Sequence, residues 1–380
     1  MASDMNSRVI VIVMIFASAI FIPSSTGIET QEEQYCDAIP NLQFNGSQAN
    51  ESVQFQTSLG PRTPSSHASS ELRESIKENL TGWRIIETTH HSNGYVLTNL
   101  FATWNPGTGN TVVLAAHYDT RDRTDYPEEN LTPILGANDG ASGVAVLLEL
   151  ARHIPAMNLS HEVTLFFTDG EDQGPIPSYL GAKAWSENLT TEEANSIESF
   201  VLVDMVGDID LQLNPRKWPE SEVMWNRTND MAAALGLDEN RIGCDGSNGT
   251  GTYVDNSLLS VGDDHQYAIF SGIPSIDIID IDYEHWHTQN DTADKVSAES
   301  LEIVGELVEL GLLTGTWLDI REDVIIDNST IDDENNSSED PDVTSETGGQ
   351  TTIGVFIMSS LLLVLGILLW TFIAEKRGEG

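Results

Sequence analysis

Four short, almost wholly apolar runs each end against a side chain that binds metals or moves protons. Val112-Val113-Leu114-Ala115-Ala116 leads into His117, and Val163-Thr164-Leu165-Phe166-Phe167 leads to Asp169. Phe200-Val201-Leu202-Val203 leads into Asp204, and Ile276 to Ile281 precedes a loop holding His285, Trp286 and His287. Short apolar runs without polar alternation mark strands buried on both faces, as in a parallel sheet. Between them, Val144, Leu147, Leu148, Ala151 and Ile154 recur at helical spacing, and the stretches Met231 to Leu237 and Leu301 to Leu313 behave alike. This alternation predicts a three-layer α/β sandwich, a central, mostly parallel mixed β-sheet flanked by helices. The segment Gly94 to Asn110, with Thr108-Gly109-Asn110 as its turn, reads as an antiparallel hairpin at the sheet edge.

In open α/β sheets ligands sit beyond the carboxyl ends of the strands, which is where His117, Asp169 to Asp172, Asp204 and His287 fall. Imidazoles and carboxylates are zinc ligands, so His117, Asp139, Asp172, Asp204 and His287 are candidate ligands of a zinc enzyme. Each has a plainer reading when taken singly: His117 ends a strand, Asp139 caps the following helix, Asp204 accepts hydrogen bonds from a turn. The adjacent carboxylates Glu171 and Asp172 are harder to explain that way, because they repel each other unless a cation or a proton separates their roles.

The two ends of the chain differ from the middle. Residues 1–27 hold Arg8, an uncharged stretch from Val9 to Ile22, then small residues, the pattern of a signal peptide or N-terminal anchor. Residues 28–60 read as a variable N-terminal segment and 61–318 as the catalytic domain. Residues 319–350, with eleven Asp or Glu against one Arg, read as an acidic disordered stalk. Thr351 to Ala374 is uncharged and long enough to span a bilayer, and Lys376 and Arg377 place the 375–380 tail on the cytoplasmic side. The expected location is therefore the cell membrane, single-pass, with the domain extracytoplasmic. A formal charge of −43 excludes a nucleic-acid partner. Twelve Asn-X-Ser/Thr sequons would be open to glycans outside the cell. The two cysteines, Cys36 and Cys244, form no cysteine-based metal site, and both a disulfide and two buried thiols are consistent with their spacing.

Six segments occur together in order: His117-Tyr118-Asp119, Gly136 to Gly143, Asp169-Gly170-Glu171-Asp172, Val203 to Gly207, Asp263-Asp264-His265 and Trp286-His287-Thr288. In this they resemble the M28 zinc peptidases, over roughly residues 60–317, and within that group the glutaminyl-peptide cyclotransferase branch. The resemblance implies the zinc-exopeptidase (phosphorylase/hydrolase-like) fold. It further implies that Asp139, Asp172 and His287 hold the zinc of a cyclotransferase. His117 and Asp204 would supply the other half of an aminopeptidase's two-zinc site, with Asp139 bridging. Glu171 would shuttle protons, Asp263 would join a hydrogen-bond network with Asp204 and Glu171, and Trp286 would wall the substrate pocket. His265 and His285 read as supporting or structural residues. The family often has Glu where this chain has Asp172. Where the animal cyclotransferases carry a further aromatic, Gln173-Gly174-Pro175-Ile176-Pro177 has none.

The expected substrates are peptide or protein N-termini, and the expected reaction is cyclisation of N-terminal glutamine to pyroglutamate with release of ammonia. The alternatives are a two-zinc M28 aminopeptidase and an inactive zinc-binding ectodomain. The intact Glu171 argues against the last.

Overall fold

The apolar runs form the middle of a six-stranded sheet whose strands lie in the order 84–92, 95–104, 162–168, 111–117, 197–204 and 275–279, in a computed structural model that describes residues 30–108, 110–125, 132–173, 179–213, 221–254 and 262–321. Strands β3 (Thr111–His117), β4 (Glu162–Thr168), β5 (Ile197–Asp204) and β6 (Ser275–Ile279) are parallel and buried almost throughout. Their register aligns the carboxyl ends: His117 lies opposite Thr168, and Asp204 opposite Ile279. The segments that follow these strands therefore emerge along one edge.

Strands β1 (Arg84–Ser92) and β2 (Tyr95–Trp104) add the antiparallel edge. The hairpin exists, but its turn is Asn93-Gly94 rather than 108–110. Both turn residues have positive φ, 49° and 87°, as a two-residue type I′ turn requires. Residues 105–110 instead carry the chain from β2 past β4 to β3, which do not pair with one another as a hairpin would; Gly109 itself lies outside the described residues.

Helices α1 (Gln31–Ala38), α2 (Gly46–Ser58), α3 (His67–Asn79), α4 (Ala141–His153), α7 (Glu222–Ala234) and α9 (Ala298–Thr314) supply the larger core on one face. Helices α5 (Leu180–Asn188), α6 (Thr191–Ser196) and α8 (His265–Phe270) cover the other face, where Trp185 meets Phe166 and Phe200 at ring distances of 5.2 and 5.5 Å. The three-layer sandwich expected from the sequence is thus the fold.

The segment 28–60, read from the sequence as variable, packs into the core from residue 30 through Tyr35, Phe44, Ala49 and Val53, all buried. At the other end Trp317 and Ile320 are buried, and the Arg321 guanidinium donates to the carbonyls of Ala194 and Ile197, so the domain runs past 318 into the first residues assigned to the stalk. The expected leader 1–27, the stalk from residue 322, the span 351–374 and the tail 375–380 lie outside the described residues. Among the described residues no helix is long and apolar enough to cross a membrane.

Cys36 and Cys244 are disulfide-bonded across a sequence separation of 208, tying α1 to the segment after α7. Closing so long a loop stabilises by about 5 kcal/mol in the chain-entropy account.

Helix α4 approaches the sheet closely because Gly143 faces it. A β-carbon there would lie 2.1 Å from the Val203 carbonyl oxygen and 3.0 Å from Ala116 Cβ. Gly143→Ala should cost at least about 2 kcal/mol, since overpacking forces backbone apart. Urea unfolding checks this, and an unchanged midpoint would contradict the packing described.

Candidate active site

The parallel edge brings all five candidate ligands together. His117 ends β3, Asp204 ends β5, Asp139 precedes α4, Asp172 follows β4, and His287 lies in the loop after β6. His117 Nε2 is 3.1 Å from Asp139 Oδ1 and 3.2 Å from Asp204 Oδ1. His287 Nε2 is 3.6 Å from Asp139 Oδ2 and 3.1 Å from Asp172 Oδ1. Two triads result, His117-Asp139-Asp204 and Asp139-Asp172-His287, each with ligand atoms within 4.8 Å of one another. Asp139 turns one oxygen to each imidazole and is the shared member.

All five are buried. The Oδ2 atoms of Asp139 and Asp172 and Nδ1 of His117 have no hydrogen-bond partner among the described residues. Buried polar atoms are ordinarily satisfied. Orphaned oxygens beside imidazole nitrogens fit a divalent cation, and this donor set of nitrogen and carboxylate oxygen suits zinc.

Local backbone sets the ligands in place. Gly140, at φ 102°, lets the chain turn under His117; a β-carbon there would lie 2.7 Å from the Asp119 carbonyl oxygen and 3.1 Å from the imidazole. His287 itself has φ 57°, in the left-handed region. Asp291 accepts the amide N–H of Asn138 and Asp139 at 2.8 and 3.1 Å, fixing the Asp139 loop from a distant part of the chain. Arg62, fully buried, donates to the carbonyls of Tyr118, Leu135 and Gly136, pinning the same loops from below. Burial lowers its guanidinium to about 10 against the pull of Asp291, Asp119 and Asp139.

Glu171 coordinates in neither triad. It is buried, its Oε2 lies 4.0 Å from His117 Nδ1, and its amide donates to Asp119 Oδ1. Burial, then the negative charge of Asp263, raises its carboxyl well above the usual range. Asp263 is raised likewise by burial and by Asp277 and Asp204. The hydrogen-bond network expected between Asp263, Asp204 and Glu171 is not among the described contacts: the Asp263 carboxylate accepts the Asp264 amide and acts on Glu171 through charge. Trp286 is 40 % exposed and lies over the His287 ring at 3.9 Å between centroids, so it stands at the rim and not in the core. His265 is buried 3.8 Å from Asp277, and His285 packs edge-on against Tyr283; neither joins a triad.

The candidate ligands are held largely by residues that no motif or periodicity singles out. Asp125 Oδ2 meets His287 Nδ1 at 2.6 Å, which places the proton there and leaves Nε2 facing Asp139 and Asp172. Arg121 donates to the other oxygen of Asp125 and to Asp172 Oδ1 at 2.7 Å, so Arg121, Asp125, His287 and Asp172 close a ring. Asp119, quoted within a motif but given no task, accepts the amides of Glu171 and Asp172 and the side chain of Gln173. Tyr179, at φ 50°, donates its amide to the Glu171 carbonyl and its hydroxyl to that of Gly262, the residue before Asp263. One tyrosine thus ties together the segments carrying both raised carboxyls. The available signal was the Arg121/Asp125 spacing of four directly after His117, which resembles an ordinary solvated pair.

The description "Peptidase family M28" matches residues 99–310. The chain belongs to that family. A glutaminyl-peptide cyclotransferase of Bothrops jararaca is 26% identical over 315 residues, covering 70% of this chain and 82% of the relative. Among solved structures, a Zn-dependent exopeptidase from Parabacteroides distasonis superposes with TM-score 0.61 at 28% identity, covering 72% of this chain and 99% of that one. Tannerella forsythia glutaminyl cyclase gives TM-score 0.59 at 26% identity over 72% and 99%. The likeness runs to the glutaminyl-cyclase-like branch of the family.

Two tests follow from the site. Asp125→Asn should weaken zinc binding by roughly 10- to 100-fold, the usual cost of losing a partner behind a ligating histidine. Competition against a chelator measures this, and unchanged affinity would remove Asp125 from the site.

The second test is of pH. Burial raises Asp172 to about 6 and Asp169, Asp264 and Asp291 to about 7. Carboxyls that hold protons more tightly when folded stabilise the fold below about pH 4 and lose that contribution as pH rises through 6 to 7. Burial weakens the charged His287 ring, but Asp172 and Asp125 outweigh it and hold its pKa at about 9. Its contribution is complete below about pH 6.5 and is lost as pH rises through 9. Metal-free protein should therefore melt at falling temperatures from pH 5 to 9, with added zinc restoring more at the upper end. A melting temperature that climbs over this range would contradict it.

Proposed function

We propose that the protein is a zinc-dependent enzyme of peptide N-termini that cyclises N-terminal glutamine to pyroglutamate and releases ammonia. The observation that carries this reading is Glu171: a buried carboxyl, raised in pKa and coordinating in neither triad, beside the ligand Asp172. A pure binding site has no need of it, whereas a reaction that moves a proton does. Asp139, Asp172 and His287 would hold the ion. Bound there, zinc supplies Lewis acidity to an amide carbonyl.

The substrate's free α-amine attacks its own γ-carbonyl carbon, forming the ring C–N bond while the bond to the γ-nitrogen breaks. Glu171 takes the proton given up by the amine and returns it to the departing nitrogen, which leaves as ammonia. Asp263, sharing negative charge with Glu171, favours the protonated state needed for that return. Trp286, exposed at the rim, offers a flat face to the compact glutaminyl side chain.

The second reading is a two-zinc aminopeptidase, favoured by the completeness of both triads around Asp139. There His117, Asp139 and Asp204 would hold the second ion, and Glu171 would take a proton from the water attacking the first peptide bond. The relatedness of the chain to both a cyclotransferase and a Zn-dependent exopeptidase supports keeping the two together.

The proposal includes location: a chain exported past a leader and held on the outer side by residues 351–374, with the acidic segment before them as spacer. The Cys36–Cys244 bond supports this, since disulfides persist in oxidising compartments.

Incubating the zinc-loaded chain with a Gln-initiated and a Leu-initiated peptide tests the ranking. Ammonia from the first, with about one zinc per chain, is the expected result, and Glu171→Gln should retain zinc while losing turnover by roughly 100-fold or more. Free leucine with no ammonia, at about two zincs per chain, would make the aminopeptidase the better reading. Loss of zinc from Glu171→Gln would mean that Glu171 is a ligand.

A further inference from the structure

Twelve of the 24 asparagines begin an Asn-X-Ser/Thr sequon. Ser and Thr make up 65 of the 380 residues, so chance would give about 4 such sequons. Three of the twelve share one local design. Asn79-Leu80-Thr81, Asn158-Leu159-Ser160 and Asn188-Leu189-Thr190 each leave a helical segment, with an exposed asparagine and an exposed hydroxyl flanking a leucine turned inward. Leu80 is buried in the larger core, Leu159 packs against its margin, and Leu189 packs against the core of the opposite face.

They also share a place. Asn158 and Asn188 precede the amino ends of β4 and β5, and Asn79 precedes that of β1, whose first residue pairs with the β2 segment lying beside the start of β4. All three therefore stand at the edge of the sheet opposite the metal ligands.

We propose that this edge carries N-linked glycans at Asn79, Asn158 and Asn188. The inference rests on the extracytoplasmic placement proposed above. The donor class is a lipid-linked oligosaccharide phosphate: the Asn Nδ2–C1 bond replaces one N–H, the C1–O bond to the phosphate carrier breaks, and the released proton accompanies the phosphate. Each Nδ2 donates to a carbonyl of its own segment, those of Ser75, Ala156 and Ala184 at 2.9, 3.1 and 2.7 Å. A glycosylated amide keeps one N–H, so that bond survives. Helix-end bonds account for these asparagines, Thr190 caps α6 and the Thr81 hydroxyl donates to the Glu78 carbonyl, whereas no helix-end role accounts for the Ser160 hydroxyl among the described residues.

Two sequons serve as internal controls. Asn50 is half-buried with its Oδ1 shut from solvent. The hydroxyl of the Asn226 sequon belongs to Thr228, which is buried, donates to the Met224 carbonyl and accepts from Trp317 Nε1.

Peptide mapping by mass spectrometry of the full chain, purified without reductant from the organism that makes it, tests the proposal. The expected result is added oligosaccharide mass on the three peptides, with Asn50 and Asn226 peptides at their sequence mass. Asn158→Gln should lower the intact mass by one glycan. Three bare asparagines in a chain whose Cys36–Cys244 peptide is recovered oxidised would overturn the proposal and leave the placement standing. Bare asparagines together with free thiols would overturn both.

Discussion

The fold is organised around negative charge that cannot stay buried alone. Asp139, Glu171, Asp172, Asp204, Asp263 and Asp264 lie within one dry edge of the sheet, with Arg121 and Arg62 as the buried guanidinium groups nearby. Desolvating a carboxylate costs several kcal/mol in practice unless a cation or a proton compensates. The raised pKa values of Glu171, Asp172, Asp263 and Asp264 express the proton route. The orphaned Oδ2 atoms of Asp139 and Asp172 express the cation route. Metal-free and metal-filled protein are thus two solutions to the same electrostatic problem, and the loops along this edge are built for the second.

The sheet can carry that load because its strands are apolar and parallel. Strand β3 buries every residue from Thr111 to His117, so its ends are fixed by packing on both faces before any ligand is considered. Gly143 lets α4 sit against β3 and β5, and the Asp139 loop enters that helix directly. Arg62 and Asp291, from opposite ends of the domain's sequence, then lock the loop through backbone groups. A ligand placed by such a frame needs little reorganisation to receive an ion, which is where affinity and catalytic geometry come from.

The legible part of this in the sequence was what periodicity and residue type record. Buried strands announce themselves as apolar runs, and His117, Asp204 and His287 stand out because polar residues there interrupt them or closely follow. Asp139 and the Glu171-Asp172 pair were legible through chemistry. Asp119, Arg121, Asp125 and Asp291 were not, because they are polar residues in polar stretches, and their value lies in partners 52, 51, 162 and 153 residues away. The N-terminal helices hid for a related reason. Tyr35, Phe44 and Val53 are few and widely spaced within a polar segment, and only tertiary packing makes them core. The hairpin was placed one turn too late, at Thr108-Gly109-Asn110, although an Asn-Gly dipeptide at 93–94 is the stronger two-residue turn signal and is where the chain reverses.

The two triads share Asp139 but are not supported alike. On the His287 side, Asp125 fixes the ring through Nδ1, and Arg121 holds Asp172 by one oxygen, so both ligands are set before an ion arrives. On the His117 side, Nδ1 has no hydrogen-bond partner among the described residues, lying 3.6 Å from Asp119 and 4.0 Å from Glu171. An outer partner of a ligating histidine is worth about 1.4 to 2.8 kcal/mol in affinity, so its absence on one side is enough to separate the two sites by an order of magnitude or more. The positive charge of Arg121 works the other way, lowering the attraction of Asp172 for a second cation, but it also prevents Asp172 from relaxing away from His287. Outer partners behind His287 and Asp172, against a buried His117 ring whose Nδ1 has none among the described residues, favour filling the Asp139-Asp172-His287 site first.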